Sequence, residues 1–232
     1  MKTNCSTYNV KKSHYSQHYF QDVVKEMNRL GMIVDISHVA AQTMRDVLNI
    51  TRAPVIFSHS DVRGLQDIPR NIPDDVLLKL AENGGVAMVN FLPYFLTGGN
   101  ATIQDVVAHI NYIRNLAGVD HVGIGSDYEG ITETPVGLED VSKYPYLFAE
   151  LLLDEKWTDA DLQKLAGLNL IRAFQEVERA LVSHMGRTAC KILCLKFFPT
   201  QARDDLAAEI PYDDLIPAED IADHLECVHP WP

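Results

Sequence analysis

The alternation of apolar and polar positions divides the chain into short apolar runs separated by longer segments of helical spacing. Two of the runs, MIVDIS (32–37) and VIFS (55–58), are rich in branched residues, and each is followed by a histidine, His38 and His59. Bounded apolar runs of this kind predict buried strands, and a helix-spaced segment between two of them predicts a βαβ unit with parallel strands. Both histidines then stand at strand carboxyl ends, where parallel α/β folds carry their chemistry.

The same reading extends along the chain. Phe20, Val23, Val24, Met27 and Leu30 recur at helical spacing before Gly31, which predicts a helix over 17–30. A helix over 40–48 and a turn at 51–54 separate the first two strands. A loop rich in breakers runs from Asp61 to Pro73, and Pro73 opens a helix to Asn83. GVAMVNF (85–91) is a third strand. A loop at 92–101, a helix over 102–116 and a fourth strand within HVGIGSDYEG (121–130) follow. Helices at 139–153 and 158–180 complete the pattern, the last with a capping start at Thr158-Asp-Ala-Asp161. Residues 17–180 thus read α-βα-βα-βα-βα, an α/β fold. Four consecutive βα units predict half of a (β/α)8 TIM-like barrel, with a small open sheet as the alternative, since a full barrel needs eight strands and about 250 residues.

The pattern also sets domain limits. Residues 1–19 are a polar, divergent segment, 20–180 the half-barrel domain, and 181–232 an extended tail that is acidic, with scattered prolines, from Arg203 onward. The composition, 47% hydrophobic and 22% charged over 232 residues, suits a core-forming globular protein. The net charge of −12 argues against nucleic acid and anionic membrane surfaces as partners. The four cysteines, Cys5, Cys190, Cys194 and Cys227, are too sparse for a disulfide framework, and the Cys190/Cys194 pair lacks the second pair of a zinc finger. Asn4, Asn49 and Asn100 head glycosylation acceptor triplets. The first residues lack the apolar region of a signal peptide, and no apolar run approaches the roughly 18 residues of a membrane span.

The candidate chemistry lies at the strand ends. Two imidazoles at equivalent positions of successive strands suit a metal or substrate site, and each alone equally suits a structural role. Asp127, after VGIGS, is placed to ligate a metal, to act as general base or to cap a loop. Arg63 and Arg70, in the loop after His59, can hold a carboxylate through paired hydrogen bonds or stand as surface charges. Together these groups point to metal-assisted hydrolysis of an anionic substrate. His14, His18, His109, His121, His184, His224 and His229 fall on a helix or in polar and terminal segments and are not read as ligands.

At these residues the chain resembles the membrane (renal-type) dipeptidases, a family of zinc metallopeptidases. The resemblance rests on VVKEMNRLGMIVDISHV (23–39), RAPVIFSHSDVRGLQDIPRNIPDDVL (52–77), VAMVNF (86–91), VGIGSDYEG (122–130), GLEDVSKYPYL (137–147) and WTDADLQKLAGLNLIRAFQEVE (157–178). It implies the C-terminal half of a (β/α)8 barrel whose complete form binds two Zn2+ ions and hydrolyses dipeptides. It implies His38 and His59 as ligands of one zinc, Asp127 as catalytic acid/base in contact with substrate, and Arg70 as the grip on the substrate's C-terminal carboxylate. Cell-surface attachment through a lipid anchor, glycosylation and a disulfide are features of animal members. The two disulfide positions fall here at Gln66 and about Gly98, and no anchor signal follows Cys227.

The departures carry expectations of their own. No H-x-D pair precedes His38, and no upstream strand exists for the glutamate that bridges both zincs in the family. At most one zinc is then held, and little or no activity is expected of the chain alone. The stretch 182–200 is foreign to the family, while IPYDDLIPAED (210–220) resembles its C-terminal tail. A transcript lacking an upstream exon and retaining a segment near 182–200 would produce both departures. A non-enzymatic, associating subunit, including a homodimer formed through open barrel edges, is the second reading. Another metal-dependent amidohydrolase is the third.

Overall fold

A computed structural model describes residues 14–184, with side chains described from Phe20 to Ala180. The four cysteines, residues 1–13 and the tail beyond His184 lie outside that range. The elements in order are α1 (His14–Arg29), β1 (Val34–Asp35), α2 (Ala41–Ile50), β2 (Val55–Phe57), α3 (Asp74–Asn83), β3 (Val86–Val89), α4 (Pro93–Thr97), α5 (Ile103–Ala117), β4 (Val122–Ile124), α6 (Tyr144–Leu151), α7 (Asp159–Gln163) and α8 (Asn169–His184). The four strands form one parallel sheet in the order β1-β2-β3-β4. Among the described residues it is open, with β1 and β4 as its edges.

Strand alternation divides the apolar residues between the two faces of the sheet. Val55, Phe57, Ala87, Val89 and Val122 face α2, α3 and α5, and pack with Met44, Val47, Leu77, Leu80, Val106 and Ile110 into the main core. Ile56, Val86 and Met88 point the other way, onto Leu170 and Ala173 of α8. A strand buried on both faces needs the continuous apolar runs that the sequence shows. Helix α8 also packs against α1, so the two ends of the described chain meet.

Three asparagines pin the amino ends of the strands. Asn28 Oδ1 accepts from the Arg52 amide at 2.7 Å, Asn83 Oδ1 accepts from the Val55 amide at 2.9 Å, and Asn169 Nδ2 donates to Val119 O and Val122 O at 2.7 and 2.8 Å. Each side chain satisfies backbone groups where a strand has not yet found its partner.

The helix expected over 139–153 shortens to α6 behind a 3-10 turn at 141–143, and the element boundaries differ from expectation more strongly in two other places. The loop expected at 92–101 contains α4, opened by Pro93 and closed by Gly98 in a left-handed conformation (φ 84°). The helix expected over 158–180 is broken. Thr158 and Asp161 form the expected capping box, but the chain widens to a π turn over 164–168 at Gly167 before α8 begins.

His109, on α5, is buried and structural. Its Nδ1 accepts from the Val62 amide at 3.2 Å and its Nε2 donates to Leu96 O at 3.0 Å, so both nitrogens of a neutral ring are used. Burial lowers its pKa, against smaller opposing effects from the Leu96 carbonyl and Asp105. A depressed histidine stabilises the fold above its unfolded pKa of about 6.5 and loses that contribution as pH falls below it. Urea unfolding of the wild type is therefore expected to weaken from pH 7 to pH 5. His109→Asn is expected to be less stable at pH 7 and to lose less on acidification. Equal acid-induced losses in the two proteins would contradict this role.

Candidate active site

The parallel register sets Val34 beside Val55 and Asp35 beside Ile56, so the segments that leave β1 and β2 run side by side. His38 and His59 stand on those segments, and their rings lie 4.7 Å apart between centroids. The two Nε2 atoms face each other at 2.7 Å. Asp127 leaves β4 three residues after Ile124, and its Oδ2 lies 3.8 Å from His59 Nε2. Three of the four residues that the resemblance assigned to the site thus converge at one end of the sheet, and Arg70 reaches the same end.

Backbone strain marks the same place. Among the described residues, His38 (φ 63°) and Asp127 (φ 67°) are the two non-glycine residues with positive φ. Such conformations cost about 1–3 kcal/mol and persist where the surroundings hold them. Gly130 shows how Asp127 is held. A Cβ at position 130 would collide with Asp127 Oδ1, so the glycine of SDYEG lets the carboxylate fold back over its own turn. Asn90 Nδ2 donates to Asp127 Oδ2 at 3.1 Å.

The two candidate arginines separate. Arg63 donates to Ile68 O from Nε and Nη2, at 3.2 and 3.1 Å, and pairs with Asp67 at 3.5 Å, so it ties its own loop together. Arg70 turns inward. It donates from Nη2 to His59 O at 2.6 Å and from Nη1 to Ser60 Oγ at 2.5 Å, and its guanidinium lies 5.3 Å from the Phe95 ring centroid. Burial lowers its pKa against the pull of Asp61, Asp127 and Asp35. Asp61 is fully buried, and neither carboxylate oxygen makes a hydrogen bond of normal geometry. Burial pushes its carboxyl well above the usual carboxylate range, opposed by Arg70 and the Asn90 amide. Its Oδ1 lies 3.9 Å from His109 Nδ1, and burial drives both groups toward their neutral forms, so this contact is no ion pair.

A profile of the membrane dipeptidases, peptidase family M19, matches residues 10–185. The chain belongs to this family. An uncharacterised dipeptidase of Schizosaccharomyces pombe is 48% identical over 161 residues, which is 68% of this chain and 39% of that protein. The probable dipeptidase PvdM of Pseudomonas aeruginosa superposes with a TM-score of 0.65 at 27% identity, covering 69% of this chain and 54% of that one. A Rhodobacter sphaeroides metallopeptidase, solved with a phosphinate mimic of the dipeptide L-Ala-D-Ala, gives a TM-score of 0.63 at 28% identity, covering 68% and 46%. The chain therefore spans about two fifths of the yeast dipeptidase and about half of these solved structures. Dipeptidases of this family have TIM-barrel-like folds, and the four βα units correspond to part of one.

A metallopeptidase needs metal ligands. His38 and His59 fit two of the places, since their Nε2 atoms converge on one point and the other nitrogen of His59 is taken up by Ser58. Among the described residues, no three His, Cys, Asp or Glu side chains form a metal cage by themselves. The positions that resemblance assigned to an animal disulfide are indeed neighbours, as a Cβ at Gly98 would lie 2.9 Å from Gln66 Nε2. Here, however, Gln66 fills that space and no cysteine stands at either position. No helix among the described residues is long and apolar enough to cross a membrane.

The sequence reading missed Asn90. It ends the apolar run GVAMVN at the strand position where β2 leads to His59 and β4 to Asp127, and a polar residue there was the available signal. It also missed Asn71, which is buried. Asn71 Nδ2 donates to Gln66 O at 2.9 Å and Phe95 O at 2.8 Å, joining the Arg70 loop to α4. Asn71→Leu strands Phe95 O and leaves Gln66 O with the Ile68 amide alone, and a loss of about 1–3 kcal/mol is expected in equilibrium urea unfolding. An unchanged midpoint and slope would contradict that role.

Proposed function

We propose that the chain carries one metal-binding half of a dipeptidase active site. His38 and His59 hold one zinc ion through Nε2. Arg70 receives the C-terminal carboxylate of a dipeptide through charged hydrogen bonds. Asp127 takes a proton from the attacking water and returns it to the amine that leaves when the peptide bond breaks. A bound divalent ion supplies Lewis acidity, polarising a carbonyl and acidifying water. What supports this reading most is the facing pair of Nε2 atoms at 2.7 Å with Asp127 Oδ2 3.8 Å from one of them. The adjoining Arg70 adds the positive charge a dipeptide carboxylate requires. The M19 relatives supply the substrate class.

Two histidines are one protein ligand fewer than catalytic zinc sites commonly use. Turnover by the chain alone is therefore expected to be far below that of a complete family member. Calorimetric titration of the purified 232-residue chain with Zn2+ tests the metal reading. One ion per chain is expected, and His38→Ala and His59→Ala should each abolish its binding. Undiminished binding in both variants would overturn the assignment. Dipeptide turnover matching a complete homologue would overturn the expectation of low activity.

A further inference from the structure

Beneath the two histidines lies a hydroxyl cluster, with Ser37 and Ser60 buried and Ser58 half-buried, that the proposed chemistry does not use. Ser58 Oγ lies 2.7 Å from His59 Nδ1. Ser37 Oγ accepts from Ser58 Oγ at 3.4 Å, from Ser60 Oγ at 3.2 Å and from the His59 amide at 3.2 Å. Asp35, at the end of β1, accepts the Ser37 and Ser58 amides on Oδ1 at 3.0 and 3.1 Å. Arg70 Nη1 donates to Ser60 Oγ at 2.5 Å. Two strand ends, one metal-ligand candidate and the carboxylate clamp therefore share one set of hydrogen bonds.

The donors and acceptors give that set a direction. An arginine only donates and an ionised carboxylate only accepts, whereas a hydroxyl does both. Burial raises the Asp35 carboxyl, and the hydrogen bonding of Ser58 and Ser37 around it, including both amides, outweighs that and holds the carboxyl below its usual value. Asp35 is thus an acceptor throughout the neutral range. The Ser37 proton turns toward it, and the Ser58 proton and the Ser60 proton, the latter displaced by Arg70, turn toward Ser37. The Ser58 oxygen is left to accept, and the group it faces is His59 Nδ1.

We propose that Asp35 and Ser58 are positioning residues that fix His59 as its Nδ1–H tautomer and so leave the Nε2 lone pair free for the metal. The inference rests on the assignment of His59 as a ligand. It makes Ser37 and Ser58 the intermediaries in a carboxylate–hydroxyl–histidine chain, an extended form of the carboxylate–histidine support that orients metal-binding imidazoles. In the metal-free arrangement His38 Nε2–H then donates across the 2.7 Å gap to His59 Nε2. Metal binding then requires the His38 proton to move from Nε2 to Nδ1.

Long-range 1H–15N spectra of the metal-free full chain read the His59 tautomer directly, and zinc titration of the same samples reads affinity. The wild type should show Nδ1–H. Ser58→Ala removes the acceptor and should shift His59 toward Nε2–H. Asp35→Asn keeps an acceptor for the two amides but adds a donor, so it should do the same. Both should weaken zinc binding by about tenfold to a hundredfold. Ser58→Thr retains the hydroxyl and should retain the tautomer. An Nε2–H tautomer in the wild type overturns the inference without recourse to any variant. So does an unchanged tautomer and affinity in Ser58→Ala and Asp35→Asn. If neither the wild type nor His38→Ala binds zinc, the metal reading fails, and the tautomer result still decides the role of Asp35 and Ser58.

Discussion

Parallel pairing of β1 with β2 is the constraint on which the site depends. It sets two short strands in register at Val34–Val55 and Asp35–Ile56, and it sends both chains out of the sheet at the same end. Antiparallel pairing would place His38 and His59 at opposite ends. Because the pairing is parallel, the crossover α2 must lie on one face, and its Met44 and Val47 fill the core there. Burial on both faces, by α2, α3 and α5 on one side and α8 on the other, fixes the strands from which the site projects.

The site is built from polar groups that the interior holds in place. His38 and Asp127 both occupy left-handed backbone conformations, and the energy of that strain is offset elsewhere in the fold. Gly130 makes room for the Asp127 carboxylate, and Asn90 binds it. Arg70 is anchored by donating to His59 O and to Ser60 Oγ, so the proposed carboxylate clamp and the metal-ligand candidate are held as one unit. Such coupling preorganises the distance between the charge that would bind a dipeptide and the centre that would cleave it.

Much of this was legible in the amino-acid sequence, for physical reasons. Apolar runs of strand length revealed β1 to β4, because a strand covered on both faces is mostly apolar, although Asp35 interrupts the run of β1. His38, His59 and Asp127 stood out because each follows such a run. Pattern alone left Arg63 and Arg70 equivalent. Only the structure shows Arg63 folding back on Ile68 O and Arg70 turning to Ser60. The Ser37, Ser58 and Ser60 cluster was illegible, since three serines on two strands become neighbours only through strand register. The break before α8 was equally hidden, because the helical spacing of apolar residues continues through Gly167.

X-ray absorption at the zinc edge of the loaded full chain tests the central claim most directly, because it reports which atoms surround the ion. The expected result is a first shell with two imidazole nitrogens, both lost in the His38→Ala, His59→Ala double variant. A sulfur-dominated shell, or an imidazole signal that survives the double variant, would contradict the placement of the metal at His38 and His59.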